Sequence, residues 1–416
     1  MAADLKGRKL YIPRMSHEGA ACMAAVFQSI GVDAQPSPPG DDRTLELAKA
    51  YLAGDECLPQ AIVLGNFLKV AEQPDYDPQK TAFMLPTSNG PCRFGHYLPL
   101  VRKIFKERQE DVLLFAPTST DGYSSISENA MDFIRTAWPA VLASDILRKM
   151  LLITRPYANR PEDADAVYDT RLPKICNAIA QSGVSHKQRL QDIRKELIGM
   201  RDAFRNVAGD RTQEKVVIGV VGEIFCRHNN FSNHDIFRLI EAQGGVVWIS
   251  DIAEWVLYTS DEEVVRLVDQ KRQFSLDMLK VQLKQAIMRA DEKKLMQPFR
   301  DDFRNFQEPH HVRQVLNLAS PYLPRDGSNG EMVMSTGKAL WYYQQGAAGI
   351  IDISPFTCMN GIITEAVYPR ISRDFGGFPI RVFYFDGNQP ALQGDLEIFI
   401  ELAKNYQRNQ LRQTAR

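Results

Sequence analysis

Three cysteines stand at places where the sequence predicts that a helix begins. Cys92 directly follows Gly90-Pro91 and precedes an apolar run with helical spacing. Cys57 precedes Leu58-Pro59 and a second apolar run, and Cys358 lies between a predicted strand and a predicted helix. Proline is favoured in the first turn of a helix, where its missing N–H leaves no group unpaired. Free N–H groups and the helix dipole lower the pKa of a thiol there, so we expect three ready metal ligands.

Three such thiolates, without a local Cys-x-x-Cys motif, suggest a site that the fold assembles rather than one that a single loop provides. Three protein ligands and one open position fit a catalytic zinc ion. Soft thiolates also suit an iron–sulfur cluster. From spacing alone a third interpretation stays open, in which all are buried structural thiols without a metal.

The other three cysteines have different surroundings. Cys22 lies in a run of small residues with helical spacing, and Cys176 lies in a second predicted helix. A buried thiol in such a helix behaves as a small hydrophobic side chain, so we expect these two to pack in a core. Cys226 follows a predicted strand, and its position leaves both interpretations open.

The elements that must position these residues alternate between strands and helices in two separate parts of the chain. Strands alternating with helices predict an α/β fold with parallel sheets covered on both faces. The predicted strands are residues 9–12, 31–34, 81–86 and 111–117 in the first part, and 215–222, 245–249, 349–353 and 379–386 in the second. Residues 260–300 are expected to be mostly long charged helix.

Residues 140–210 show helical spacing and no convincing strand, so they predict a helical connector. The resulting organisation has a first Rossmann-like domain over 1–139, the connector, and a second Rossmann-like domain over 211–416. Ligands of doubly wound sheets bind outside the carboxyl ends of the strands, where Cys92 and Cys358 are expected. If the two sheets face each other, all three cysteines meet in the cleft between the domains.

Composition excludes several classes of function. The chain has 416 residues and a formal net charge of −1, so no basic field points to nucleic acid or to an anionic membrane. It contains no apolar run long enough to span a membrane, and its first residues lack the apolar core of a signal peptide. Six cysteines spread over this length do not resemble a disulfide framework. We therefore expect a cytoplasmic protein.

Four short segments carry a resemblance to a known family. They are Gly54-Asp55-Glu56-Cys57-Leu58-Pro59, Asn89-Gly90-Pro91-Cys92-Arg93-Phe94-Gly95-His96-Tyr97, Val221-Gly222-Glu223-Ile224-Phe225 and Pro355-Phe356-Thr357-Cys358-Met359. Together they resemble the 2-hydroxyacyl-CoA dehydratase superfamily, which includes benzoyl-CoA reductase and 2-hydroxyglutaryl-CoA dehydratase. The nearest branch resembles the acyl-CoA dehydratase-activase-related proteins. Matching blocks extend from about residue 9 to about residue 402, and the segment around Cys92 is the most specific.

The resemblance implies two Rossmann-like domains with an iron–sulfur cluster in the cleft between them. It implies Cys57, Cys92 and Cys358 as the cluster ligands. It also implies a separate ATP-hydrolysing iron–sulfur activator that supplies low-potential electrons, an acyl-CoA or small reducible substrate, an oxygen-poor cytoplasm and a homodimer. Some relatives hold a double-cubane [8Fe–9S] cluster on six cysteines. Because Cys22 and Cys176 are expected to pack in a core, we expect one [4Fe–4S] cluster with three cysteine ligands.

Three further residues are candidates for catalysis. Arg93 follows Cys92, where it can pair with cluster charge or with a substrate anion, or simply lie on the helix surface. His96 can transfer a proton, or pack as an ordinary histidine. Glu223 stands at a strand end, where site residues collect, although it can also cap a loop.

The sequence contains no Gly-x-x-x-x-Gly-Lys-Ser/Thr segment that would bind ATP phosphates. We therefore expect this chain to be the electron-accepting component, a dehydratase- or reductase-type iron–sulfur protein. Two alternatives remain, a non-catalytic electron-transfer or cluster-carrier protein and a zinc-dependent hydrolase.

Overall fold

A computed structural model describes residues 5–87, 92–117, 130–210, 212–325, 330–388 and 392–414. Within these residues the chain forms two α/β units, each built on a four-stranded parallel sheet. The α/β class with two Rossmann-like units is therefore confirmed. None of the described helices is long and apolar enough to cross a membrane.

The first unit places its strands in the order β2-β1-β3-β4. Its elements are β1 (Lys9–Ile12), α1 (His17–Ser29), β2 (Asp33–Pro36), α2 (Asp42–Lys49), α3 (Leu58–Ala71), β3 (Thr81–Met84), α4 (Tyr97–Glu107) and β4 (Leu113–Phe115). Helix starts follow local capping chemistry: the hydroxyl of Ser16 accepts a hydrogen bond from the N–H of Gly19 at 3.0 Å and so begins α1.

The predicted helical connector is present as three long helices. They are α5 (Ala130–Thr154), α6 (Pro161–Ala180) and α7 (His186–Val207). An isolated antiparallel bridge between Ala158 and Ala208 joins the connection between α5 and α6 to the end of α7. The apolar faces of the three helices pack with α1 into one core, which explains why the sequence there repeats at helical spacing.

The second unit repeats the topology of the first, with the strand order β6-β5-β7-β8. Its strands are β5 (Val216–Gly222), β6 (Gly245–Ile249), β7 (Gly349–Pro355) and β8 (Ile380–Phe385). Its helices are α8 (Ile224–His228), α9 (Ile236–Ala242), α10 (Ile252–Asp269), α11 (Leu276–Met296), α12 (Val312–Ala319), α13 (Glu331–Gln344), α14 (Met359–Asp374) and α15 (Leu392–Thr414). Strands β6 and β7 are buried along their whole length, as expected for strands covered on both faces.

Residues 260–300 are mostly helical, as predicted, and two helices, α10 and α11, cover this stretch. The break lies at Lys271, whose φ of +58° ends the first helix. Ser275 then begins the second helix, since its hydroxyl accepts a hydrogen bond from the N–H of Met278 at 3.2 Å.

The two units pack directly against each other. One hydrophobic cluster contains residues of both sheets, among them Phe83 of β3, Val220 of β5 and Phe385 of β8. Polar contacts also cross between the units: the side-chain amide of Asn229 donates to the carbonyl of Arg14 at 2.7 Å. This packing brings the carboxyl ends of the two sheets towards each other.

Candidate functional site

Each of the three predicted ligands occupies the position just before a helix. Cys57 precedes α3, Cys358 precedes α14, and Cys92 precedes a 3-10 helix over Arg93–His96 that leads into α4. All three have extended backbone, with φ near −70° and ψ between 133° and 150°. None of the thiols caps its own helix, so each side chain is free of that local role. The predicted helix starts are confirmed, while residues 88–91 of the Cys92 segment lie outside the described residues.

Arg93 shows directly that the three cysteine segments meet. Its Nη1 donates to the backbone carbonyl of Asp55, two residues before Cys57, and to the hydroxyl of Thr357 at 3.0 Å. Thr357 is the residue immediately before Cys358. One guanidinium therefore joins segments that are 38 and 264 residues away in sequence. Arg93 therefore bridges three segments, whereas the alternative interpretation gave it only a place on the helix surface.

The backbone at Thr357 has an unusual conformation. Its φ is +64°, a region that a β-branched residue rarely adopts. Such a conformation costs on the order of 1–3 kcal/mol and is kept only where the surrounding structure holds it. Here the hydrogen bond from Arg93 and the N–H of Cys358 bonded to the carbonyl of Pro355 at 3.0 Å hold the turn. The strained turn sets the direction in which α14 and Cys358 enter the site.

The expectation that helix starts lower the pKa of these thiols is wrong. Burial raises the pKa of Cys57 to about 11 and also raises the pKa of Cys92 and of Cys358. Backbone N–H groups do act in the predicted direction at all three positions, yet their effect is smaller than the cost of desolvating a thiolate. The nearby carboxylate of Glu223 opposes ionisation further at each thiol. Without a cation in the site, the three side chains are neutral thiols at physiological pH.

Tyr97 is a site residue to which sequence reasoning gave no role. Its hydroxyl lies 2.8 Å from the Sγ atom of Cys57, and this hydrogen bond lowers the pKa of the thiol against the effect of burial. Tyr97 is the first residue of α4 and is buried. It follows Cys92 by five residues in the most specific of the resembling segments, which is the signal that pointed to its neighbourhood.

Two carboxyl groups lie at the start of α8, next to the cysteines. Glu223 caps this helix, as its carboxylate accepts from the N–H groups of Phe225 at 3.0 Å and Cys226 at 2.8 Å. Glu331, at the start of α13, accepts from the N–H of Ile224 at 3.1 Å. Glu223 therefore does have the capping role that was considered as its alternative, at a place where it also faces the thiols.

Glu331 is the second site residue that sequence reasoning missed. Burial, and next the charge of Glu223, raise its pKa to about 8, so it holds a proton at neutral pH. Its charge also opposes ionisation of Cys92 and Cys358, which places it beside them. No motif marks Glu331 in the sequence, because only the fold brings the start of α13 to the start of α8.

The remaining candidate, His96, lies at the edge of the site. It is exposed, it occupies the position before α4, and its side chain makes no capping hydrogen bond to that helix. Because His96 is exposed, its imidazole is accessible. The proposed proton-transfer role therefore stays a prediction.

The other three cysteines differ in position, and two of them lie in a core as their sequence surroundings predicted. Cys22 is buried in the core between α1 and α6, and Cys176 packs against the same core. Cys226 is fully buried in α8, close enough to Cys57 and Cys358 for their charges to oppose its ionisation. It is a fourth thiol at the border of the site, a position that the sequence left open.

Within the described ranges, no three His, Cys, Asp or Glu side chains are grouped so that they could hold a metal ion. No protein-family model matches the chain, and no curated protein sequence matches it. The functional hypothesis therefore depends on the residues and on the geometry of the site.

Proposed function

We propose that the chain is an iron–sulfur protein of the 2-hydroxyacyl-CoA dehydratase or reductase type. In this proposal it accepts low-potential electrons from an ATP-hydrolysing iron–sulfur activator and uses them on a CoA thioester or a small reducible substrate. The observation that carries the proposal is the meeting of three helix-starting cysteines, Cys57, Cys92 and Cys358, around one arginine.

The donor set is compatible with a cluster. Soft thiolates suit iron–sulfur clusters, and in a [4Fe–4S] cluster each thiolate binds a different iron. Three protein ligands and one open position also suit a zinc ion. We prefer a [4Fe–4S] cluster on Cys57, Cys92 and Cys358 to the zinc-hydrolase alternative because the segments around these cysteines resemble those of the 2-hydroxyacyl-CoA dehydratase superfamily.

The positions of Cys22 and Cys176 also support one cluster rather than a double-cubane cluster. A double-cubane cluster on six cysteines would need both of these thiols. They pack in the core formed by α1, α5, α6 and α7, apart from the three helix-starting cysteines. Ligation by them would require the core of the first unit to open, which would cost several kcal/mol of buried apolar surface.

Each neighbouring residue has a distinct role in this proposal. A bound cluster would supply one-electron chemistry at low potential. Arg93 fixes the three ligand segments relative to one another. The Tyr97 hydroxyl donates to the Cys57 sulfur. Glu331 holds a proton near neutral pH and Glu223 shares its helix start, so the pair supplies a proton to a reduced substrate.

A non-catalytic electron carrier remains the second candidate, and one observation favours it. A groove of about 530 Å³ runs along β8 between α14 and α15. Its lining contains none of the three proposed ligands. A CoA thioester needs a pocket that opens onto the cluster, so turnover must be tested directly. A reduced protein that passes electrons on, yet converts no acyl-CoA and no small acceptor, would be the carrier.

Anaerobic purification followed by iron and sulfide analysis tests the cofactor. We expect a brown protein with about four iron and about four sulfide per chain. Cys92→Ala should lose most of the iron, whereas Cys176→Ala, the matched control in the α6 core, should keep it. Equal iron in both variants, or a colourless zinc-loaded protein, would overturn the ligand assignment.

We also propose a homodimer, formed through the open edge of the second sheet. Strand β8 is the edge strand, its six residues contain no proline, and only β7 pairs with it. An open edge of this kind pairs with another strand, and antiparallel pairing of two β8 strands about a two-fold axis is self-complementary. Exposed Ile398 and Leu402 lie on α15, a helix joined to β8 by the ion pair between Arg381 and Asp395 at 2.9 Å. Lysine at both positions should convert a dimer to a monomer in sedimentation equilibrium; a wild-type monomer would exclude the dimer.

A further inference from the structure

Four strongly exposed apolar side chains, including the three most exposed among the described residues, lie together on one helical hairpin. They belong to the loop before α11 and to the first half of that helix. Phe274 is 96% exposed, and Leu276, Leu279 and Leu283 are 76%, 62% and 60% exposed. Contiguous exposed apolar side chains on a folded protein mark a surface for a partner. We name Leu276, Leu279 and Leu283, with exposed Ala286 and Ala290, the α11 seam.

The spacing of the α11 seam identifies the shape of the partner. Its members follow steps of three and four residues, the a and d positions of a heptad repeat. The opposite face of α11 is buried, with Met278, Val281 and Met288 packed towards the protein. An apolar seam of only a and d positions is narrow, as in a coiled coil, whereas a helix that lies on a membrane has a wider apolar face. The seam therefore fits another helix.

Charge identifies the chemistry of that helix. The positions beside the seam hold exposed Arg289 at g and exposed Lys280 and Lys294 at e; the two lysines lie 3.5 and 3.7 Å from aspartates of their own helix, at distances that leave them able to exchange partners. A second copy of α11 would meet these cations with its own: a parallel pair sets Arg289 against Lys294, and an antiparallel pair sets lysine against lysine. An acidic helix would instead form ion pairs along both borders.

We propose that the α11 seam docks an amphipathic helix of another protein, one with apolar a and d positions and acidic e and g positions. This inference does not depend on the proposed cluster, because α11 contains none of the proposed ligands. The seam supplies most of the affinity by burying leucine surface, and the basic borders select the partner's charge and orientation.

A designed peptide provides the test. The probe is a fluorescein-labelled four-heptad peptide with leucine at a and d and glutamate at e and g; the matched control peptide carries lysine at e and g. Binding to the full chain is followed by fluorescence anisotropy. We expect the acidic peptide to bind at least tenfold more tightly than the basic one. Binding should weaken as salt rises from about 50 mM to about 500 mM, since exposed ion pairs are screened.

Two variants test whether the acidic peptide binds at the α11 seam. Leu279→Lys/Leu283→Lys should reduce the affinity for the acidic peptide at least tenfold, and both side chains are exposed enough for the fold to tolerate the change. Leu411→Lys, on α15 with a leucine 54% exposed, is the matched control and should bind as the wild type does. No binding of the acidic peptide, or equal binding of the basic peptide, would overturn the proposal. It would also be overturned if the wild type self-associates, or binds phosphatidylserine vesicles, and the double variant does not.

Discussion

The acidity of Cys57 is a measurable test of how the site balances burial against the helix start. Burial raises the pKa of this thiol from 9.0 to about 11, a net cost to the thiolate of about 2.7 kcal/mol at 1.36 kcal/mol per pH unit. A helix N-terminus stabilises an anion by at most about 2 kcal/mol, whereas full burial shifts a pKa by about 3–5 units. Burial should therefore dominate, and about one Cys57 in ten thousand should be ionised at pH 7.

Tyr97→Phe is the perturbation that separates the two effects. The Tyr97 hydroxyl lies 2.8 Å from the Cys57 sulfur and favours the thiolate. A hydrogen bond to a charged group is worth about 1.5–3 kcal/mol, so its loss should raise the pKa of Cys57 further and slow alkylation about tenfold or more at fixed pH. Tyr76→Phe removes a tyrosine hydrogen bond to Glu110 at 2.8 Å, away from any cysteine, and is the matched control.

The assay is anaerobic alkylation of metal-free protein with iodoacetamide, read residue by residue by peptide mass spectrometry. The rate at Cys57 should rise tenfold per pH unit from pH 7 to about pH 9.5 without reaching a plateau, because only the thiolate reacts. Tyr97→Phe should lower that rate, and Tyr76→Phe should leave it unchanged. A plateau below pH 9, or a faster reaction in Tyr97→Phe, would refute the reasoning that burial controls these thiols.

Three further predictions concern the fold. Glu18→Gln should lower the free energy of unfolding by about 3–5 kcal/mol in urea titrations, because it leaves the buried guanidinium of Arg148 without its carboxylate; an effect below 1 kcal/mol would show that the pair is dispensable. Burial raises the pKa of Glu292 to about 7, so stability should fall by up to about 3 kcal/mol as pH rises from about 4.5 to 7, and Glu292→Gln should flatten that slope. Gly65→Ala should cost about 1–3 kcal/mol in thermal unfolding, since its Cβ would lie 2.0 Å from the carbonyl of Thr44; an unchanged melting temperature would mean that α2 and α3 can separate at little cost.

Much of the fold was predictable because parallel sheets leave a strong pattern. Strands such as Val216–Gly222 and Gly349–Pro355 are continuous apolar runs, and the helices between them follow amphipathic spacing. The helix starts at Cys57 and Cys358 were predictable for a similar reason, since each is followed by an apolar helical run. Two local features do not follow from such patterns: the break at Lys271 and the short α8 depend on single backbone angles and caps.

The site was predictable only where a short segment of the sequence carries a recognisable pattern. The three cysteines stand out by their neighbours in sequence, but Glu331 reaches them only because α13 begins beside α8. Thiol acidity was not predictable at all. It depends on how deeply the second unit buries residues of the first, which no local pattern records. Sequence reasoning therefore placed the three cysteines at helix starts and gave the wrong sign to their pKa shifts.

The wrong sign sharpens the chemical interpretation of the site. With neutral thiols, Cys57 and Cys358 can lie half-buried beside a protonated Glu331 without thiolate charge, while Cys92 is exposed, so the metal-free protein can fold with this site assembled. A bound metal centre would reverse the balance, because coordination removes the thiol protons and its positive charge lowers the pKa of nearby acids. Binding of a metal centre should then release protons, up to one for each of Cys57, Cys92 and Cys358. The affinity for the metal should therefore increase with pH. Under the proposed ligand assignment Arg93 joins the three ligand segments, so closure of the two units and retention of a bound metal centre would be one event.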